Sequence, residues 1–126
     1  MSRVFVFPGQ GSQYIGMGRE LADAYPTARH VFQEVDDALN QKLFALMTNG
    51  AEGDLALTEN TQPALMAVSV AATRVVMEQS GKALPDLVSF VAGHSLGEYS
   101  ALTVAGTFDL ADCARLLKTR GRAMQA

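Results

Sequence analysis

Residues 93–97 read Gly93-His94-Ser95-Leu96-Gly97 and stand between a short apolar run and a stretch of good helix formers. Gly-x-Ser-x-Gly in that setting commits the chain to a strand, a sharp turn and a helix, with the serine at the turn. The run before it, Leu87-Val88-Ser89-Phe90-Val91-Ala92, is apolar over the length of a buried parallel strand. Glu98 to Ala105 predicts a short helix that Gly106 ends. Glycines on both sides of Ser95 remove the Cβ atoms that would collide where strand and helix meet. The serine hydroxyl is then exposed, and the Leu96 N–H at the helix start points to where an oxyanion would form. This arrangement suits Ser95 as a nucleophile. The structural alternative is a glycine-rich turn whose serine caps a helix.

The chain opens with Arg3-Val4-Phe5-Val6-Phe7, a strand by its β-branched and aromatic content, which Pro8-Gly9 turns into a loop. Gly9, Gly11 and Gly16 would let that loop approach other backbone or a ligand closely. It is a poor phosphate cradle. It lacks the Gly-Lys-Ser/Thr of a Walker loop, and Tyr14 stands where a dinucleotide fingerprint needs its third glycine. Beside the serine turn, the loop could instead supply a second oxyanion-hole N–H from around Gln10.

Several segments together resemble the malonyl-CoA:acyl-carrier-protein transacylase family of fatty acid biosynthesis. They are Phe7-Pro8-Gly9-Gln10-Gly11-Ser12-Gln13, Thr61-Gln62-Pro63-Ala64, residues 93–101 from Gly93 to Ala101, and Arg120-Gly121. They fall in the family's order and at about its spacing, and the resemblance runs over the whole chain but less than half of a family member. It implies an α/β-hydrolase-like parallel sheet with flanking helices, the larger subdomain of the acyltransferase fold. Residues 1–126 would then be the N-terminal part of the catalytic domain, without the family's small ferredoxin-like subdomain. The reaction it implies is transfer of a malonyl group from malonyl-CoA to the phosphopantetheine thiol of acyl carrier protein, through an ester on Ser95. Gln10 and Leu96 would form the oxyanion hole. Arg120 would grip the free malonyl carboxylate with both arms of its guanidinium, with Gln10 and Gln62 lining the same site. No cofactor is expected.

The family's catalytic base is a histidine far downstream, and nothing in this sequence corresponds to it. The histidines are His30 and His94. His94 adjoins Ser95, and neighbouring side chains in such a turn diverge, so a structural role suits it better than proton transfer. His30 belongs to a surface helix. The chain therefore reads as nucleophile and oxyanion hole without the base. Other readings of the same motifs are a serine esterase or thioesterase with water as acceptor, and a catalytically silent chain that binds acyl-CoA.

Composition sets the remaining bounds. With 126 residues and 48% hydrophobic content the chain has enough material for one core. Ala64–Val68 is broken by Ser69 and then Arg74, so no membrane span is expected, and Arg3 followed at once by a strand is unlike a signal peptide. A cytoplasmic location follows. The net charge of −3 argues against nucleic acid as a partner. Cys113 is the single cysteine and reads as packing; no Cys/His spacing suits a metal.

Helical spacing predicts a helix from Pro26 that buries Val31, Phe32, Val35 and Leu39, and a short amphipathic piece at Leu43–Met47 in a polar, glycine-punctuated stretch over 40–53. Thr61 is expected to cap a helix with Pro63 in its first turn, running to about Gln79 and stopped by Gly81. Its apolar side would be Leu65, Val68, Ala72, Val75 and Val76, with Met66 and Met77 as filler. Pro85 separates it from the strand before Ser95. Asp109 should cap a last helix, with Asp112 three residues on, that buries Leu110, Ala114, Leu116 and Leu117. That helix would end at 118–122, with Lys118 and Arg122 complementing its dipole.

Overall fold

Two short strands, β1 (Val4–Phe7) and β2 (Phe90–Gly93), pair in parallel, with Val4 opposite Phe90 and Phe7 opposite Gly93. The structure, a computed structural model, describes residues 3–125. Between the strands come α1 (Arg19–Ala24), α2 (Pro26–Leu39), α3 (Leu43–Asn49), α4 (Glu52–Leu55), α5 (Thr58–Ser80) and α6 (Leu84–Leu87). After β2 come α7 (Leu96–Val104) and α8 (Leu110–Gln125). The class is mixed α/β with a parallel sheet, as expected.

The helices build one core around α5. Pro26 opens α2 at its first position, where a missing N–H costs nothing. Ala28, Val31, Phe32 and Val35 then face inward, and Phe32 stacks on Phe44 of α3 with ring centroids 4.4 Å apart. Asp36 accepts the Phe44 N–H at 3.0 Å and so fixes the start of α3 from α2. From α8, Leu110, Cys113, Ala114 and Leu117 complete the core. Burial pushes the Cys113 thiol up from its ordinary pKa, which keeps it protonated and suits the packing role.

Several elements depart from the sequence pattern. Thr61 does not cap α5: the Asn60 and Thr61 N–H groups bond the Leu57 carbonyl at 2.8 and 2.9 Å, so the helix starts a turn earlier. Thr61 is buried instead, its hydroxyl donating back to the Leu55 and Leu57 carbonyls. Pro63 accordingly lies inside the helix, where its ring removes the N–H that the Glu59 carbonyl would have accepted. From Asn60 to Ala67 this helix is buried on every side, so a single apolar stripe describes it poorly. Leu65 and Val75 are inside, whereas Val76 is exposed and Met77 is only partly covered.

The apolar run 87–92 is not one strand. Pro85 starts the short turn α6, Leu87 and Val88 anchor it in the interior, and pairing begins only at Phe90. Helix α7 begins at Leu96 rather than Glu98, immediately after the serine, and ends just before Gly106 as expected. α4 replaces part of the expected loop because Leu55 is buried, and α1 follows the glycine-rich loop without a pattern that marks it. Asp109 caps α8 through its Oδ1 and the Ala111 N–H at 3.2 Å. Asp112 pairs with Arg115 at 3.1 Å rather than reaching back to the cap. Leu116, expected inside, is exposed. No described helix is long and apolar enough to cross a membrane.

Candidate active site

The serine turn is built by backbone contacts that only glycine permits. A Cβ on Gly93 would run into the Gly97 carbonyl and the Glu98 nitrogen, and one on Gly97 into the Phe7 carbonyl at the end of β1. The Gly97 N–H bonds the His94 carbonyl and the Glu98 N–H bonds the Ser95 carbonyl, both at 3.0 Å, while the His94 N–H reaches Phe7 O at 3.3 Å. This holds Ser95 at φ 56°, ψ −116°, a conformation that L side chains rarely adopt. Such strain is of order ~1–3 kcal/mol and persists only where the surroundings over-determine it. The side chain is exposed, and the Leu96 N–H at the head of α7 has no acceptor among the described residues.

The loop after β1 lies against this turn. Gly9 is buried, and a Cβ there would come within 2.7 Å of the His94 carbonyl. Gln10 follows, exposed, with its side-chain amide donating to Thr58 Oγ1 at 3.3 Å. Its own N–H has no acceptor among the described residues, whereas the next N–H, of Gly11, is occupied by Gln13 Oε1 at 2.7 Å.

Arg120 projects from α8 toward the serine. Its Nη1 donates to Gln62 Oε1 at 2.7 Å, and its Nη2 stands 3.4 Å from Ser95 Oγ, at the long limit of a hydrogen bond. Gln62 is buried, and its Nε2 lies 3.0 Å from the Met124 sulfur, so its orientation is fixed. The guanidinium carbon also sits 5.2 Å from the centroid of the Tyr99 ring, within cation–π range. Tyr99 in turn lies beside Phe108, with ring centroids 6.3 Å apart. Ser95, Arg120 and Gln62 thus meet, and Gln10 joins them through Thr58, one helical turn before Gln62.

Arg122 stands in the last turn of α8, as expected, whereas Lys118 lies about two turns before the end because the helix continues through Gln125; both side chains also have tertiary partners. Lys118 Nζ donates to Gln41 Oε1 at 2.7 Å and Asn60 Oδ1 at 2.9 Å and stands 3.4 Å from Glu59. Arg122 Nε donates to Glu59 at 3.0 Å, and Gln125 Oε1 accepts the Glu59 N–H at 2.8 Å. Hydrogen bonds from Arg122 and then Gln125, with help from Lys118, hold the Glu59 carboxyl below its usual range. A lowered pKa means that the contribution is present above the ordinary glutamate range and is lost as pH falls through the folded value. At neutral pH the clamp is intact.

Neither histidine meets the serine. His30 is on the exposed side of α2, and His94 packs against Gly9 with no bond to Ser95 among the described residues. Among the described residues no group of His, Cys, Asp and Glu could hold a metal ion. The sequence reading missed Tyr99 and Glu59. Tyr99 is four residues beyond Ser95, a spacing that on a helix starting at Leu96 places both on one side.

Comparison with known proteins follows the same lines. Residues 4–126 match the family described as the acyl transferase domain. A malonyl CoA-acyl carrier protein transacylase of Escherichia coli (strain K12) is 50% identical over 121 residues, 96% of this chain. Its counterpart in Bacillus subtilis (strain 168) is 46% identical over 125 residues. The chain spans 38% of the length of each of these relatives. The crystal structure of an acyl-carrier-protein-S-malonyltransferase from Bartonella henselae superposes with TM-score 0.96 at 60% identity, over 100% of this chain and 40% of that one. A malonyl-transacylase solved in complex with its type II PKS acyl-carrier protein superposes at 0.92 and 49% identity, over 99% and 39%.

Proposed function

We propose, on the premise that this chain belongs to the acyl transferase domain family, that its protein moves a malonyl group from CoA to the phosphopantetheine thiol of acyl carrier protein. Residues 1–126 are the N-terminal part of the catalytic domain, in the larger, α/β-hydrolase-like subdomain; the ferredoxin-like subdomain lies outside them. The work is that of fatty acid biosynthesis, in the cytoplasm. One observation carries this reading: the Arg120 guanidinium stands between the hydroxyl of Ser95 and the buried amide of Gln62. A cation this close to a nucleophile suits an acyl group that carries its own carboxylate, and an esterase acting on neutral acyl groups has no use for it.

In the first half-reaction Ser95 Oγ attacks the thioester carbonyl, and the negative charge that forms on its oxygen is met by the Leu96 and Gln10 N–H groups. The C–S bond then breaks and CoA leaves, with the malonyl group esterified to Ser95. In the second half-reaction the phosphopantetheine thiol attacks that ester and the serine oxygen leaves. Throughout, the N–H groups of Arg120 not taken by Gln62 hold the malonyl carboxylate. The proton of Ser95 goes to a base outside residues 3–125, since neither His30 nor His94 is placed to take it.

The test is selectivity. In the full-length protein, Arg120→Ala removes a charge-assisted contact that only the carboxylated substrate uses, and malonyl transfer falls by about 1.5–3 kcal/mol. Acetyl transfer falls far less, so the malonyl-to-acetyl ratio of kcat/KM collapses. Equal losses for both acyl groups would make Arg120 structural and remove the basis of this reading. Tyr99 contributes through its ring face. Tyr99→Leu is expected to weaken malonyl transfer by about 0.5–2 kcal/mol, whereas Tyr99→Phe, which keeps the face, is nearly silent. Steady-state kinetics on both variants checks this, and an equal loss in Phe would assign the effect to the hydroxyl.

A further inference from the structure

We propose that Gly121 and Glu59 are positioning residues that set the acyl selectivity of the site by fixing where Arg120 stands. Gly121 lies inside α8, one turn before its end, where glycine is unfavourable relative to alanine by about 1 kcal/mol. Its buried position explains the residue. A Cβ there would lie 2.5 Å from Glu59 Cα, 2.7 Å from Thr58 O and 2.8 Å from Glu59 N. All three neighbours are backbone in the first turn of α5, so no rotamer change relieves the contact. Ordinary carbon contact lies near 3.5–4.0 Å, so any side chain at 121 pushes the two helices apart by roughly 1 Å. Glu59 pulls in the opposite sense. Its carboxylate holds Arg122 at 3.0 Å and Lys118 at 3.4 Å, and its N–H is accepted by Gln125. The bare backbone of Gly121 sets how closely α8 can approach α5, and the Glu59 contacts keep it there.

Arg120 is the residue before Gly121, and its partner Gln62 is one turn beyond Thr58 on the same helix. The 2.7 Å contact to Gln62 therefore spans the very crossing that Gly121 and Glu59 define. Thr58 in the same turn also receives the Gln10 amide, so the start of α5 references both the arginine and the loop after β1. Displacement of about 1 Å at a reacting centre can cost up to about 100-fold, and a two-armed grip on a carboxylate is sensitive to it. A neutral acyl group, which makes no such contact, is not. The inference rests on the reading that Arg120 holds the substrate carboxylate, and the experiment separates the two.

The experiment measures kcat and KM for malonyl-CoA and acetyl-CoA with the full-length protein and its Gly121→Ala, Glu59→Ala and Arg120→Ala variants, beside thermal unfolding. Gly121→Ala is expected to raise KM for malonyl-CoA by about 10- to 100-fold, with acetyl transfer changed by less than about threefold. Glu59→Ala, which loosens the crossing without forcing it open, is expected to change the malonyl-to-acetyl ratio in the same direction by about threefold. If Arg120→Ala changes that ratio but Gly121→Ala and Glu59→Ala leave it untouched, the positioning role is wrong and the proposed function stands. If Arg120→Ala itself leaves the ratio unchanged, the proposed function fails first. Should Gly121→Ala not fold, Glu59→Ala decides, and an unchanged ratio there overturns the inference.

Discussion

Replacing Ser95 with alanine in the full-length protein is expected, under the proposed function, to abolish incorporation of malonyl label from malonyl-CoA and to lower turnover by on the order of 10⁴- to 10⁶-fold. The size of the loss follows from the proposed mechanism: without Oγ no ester could form, and what would remain is binding and the proposed oxyanion hole. The fold is not expected to suffer. The hydroxyl is exposed, its one hydrogen bond among the described residues is the 3.4 Å approach of Arg120, and the backbone of the turn is held by the Gly97, Glu98 and His94 N–H groups. Thermal unfolding should therefore match that of the unsubstituted protein. Peptide mapping adds a sharper criterion. Ser89 and Ser100 flank the site, and Ser100 is fully buried, with its hydroxyl unpaired among the described residues. Label located by fragmentation on any residue but Ser95 would overturn the assignment.

What could be read in advance was what depends on near neighbours in sequence. The collision that Gly93 and Gly97 avoid lies between the strand and the helix that flank one turn, so the pentapeptide and its context specify it almost alone. Stops were legible for the same reason: Gly81 and Gly106 take positive φ at the ends of α5 and α7. The start of α5 was not. Thr61-Gln62-Pro63 looks like a cap followed by proline, but the Leu57 carbonyl captures the Asn60 and Thr61 N–H groups first. Burial of the helix from Asn60 to Ala67 then makes Thr61 an interior residue.

The exposure of Val76 and Leu116 and the partners of Lys118 and Arg122 lay beyond local pattern too. Periodicity names a face of a helix but not what lies opposite. A basic residue near a helix end suits the dipole equally well whether or not Glu59 waits across the crossing. Arg120 is legible in the sequence only through the resemblance of its motif to a family. Its distance from Ser95 in the chain is bridged by α8 crossing α5, a tertiary fact that Gly121 permits.

A polypeptide of residues 1–126 expressed by itself is expected to show no steady-state malonyl transfer and to associate in solution. Catalysis is expected to fail for want of a base, since among the described residues no histidine is bonded to Ser95. Loss of one member of a serine catalytic unit costs on the order of 10⁴- to 10⁶-fold, and neither histidine of this sequence is placed to substitute. Association follows from the sheet. Parallel sheets are stable when both faces are covered, yet Val4, Val6 and Phe90 are 49, 68 and 68% exposed. The pairing of Val4 with Phe90 puts all three on one side of the two strands, forming a continuous apolar patch rather than scattered residues. The outer edges of β1 and β2, which pair with no further strand among the described residues, add backbone groups that can template strand addition. The serine turn is local and its glycine contacts lie within this segment, so Ser95 should keep its geometry even so. Carrier-protein loading assayed beside light scattering tests both halves of the expectation. Ordinary turnover by a monodisperse monomer would mean that a base lies within residues 1–126, and His94, beside the nucleophile, would be the first to re-examine by substitution.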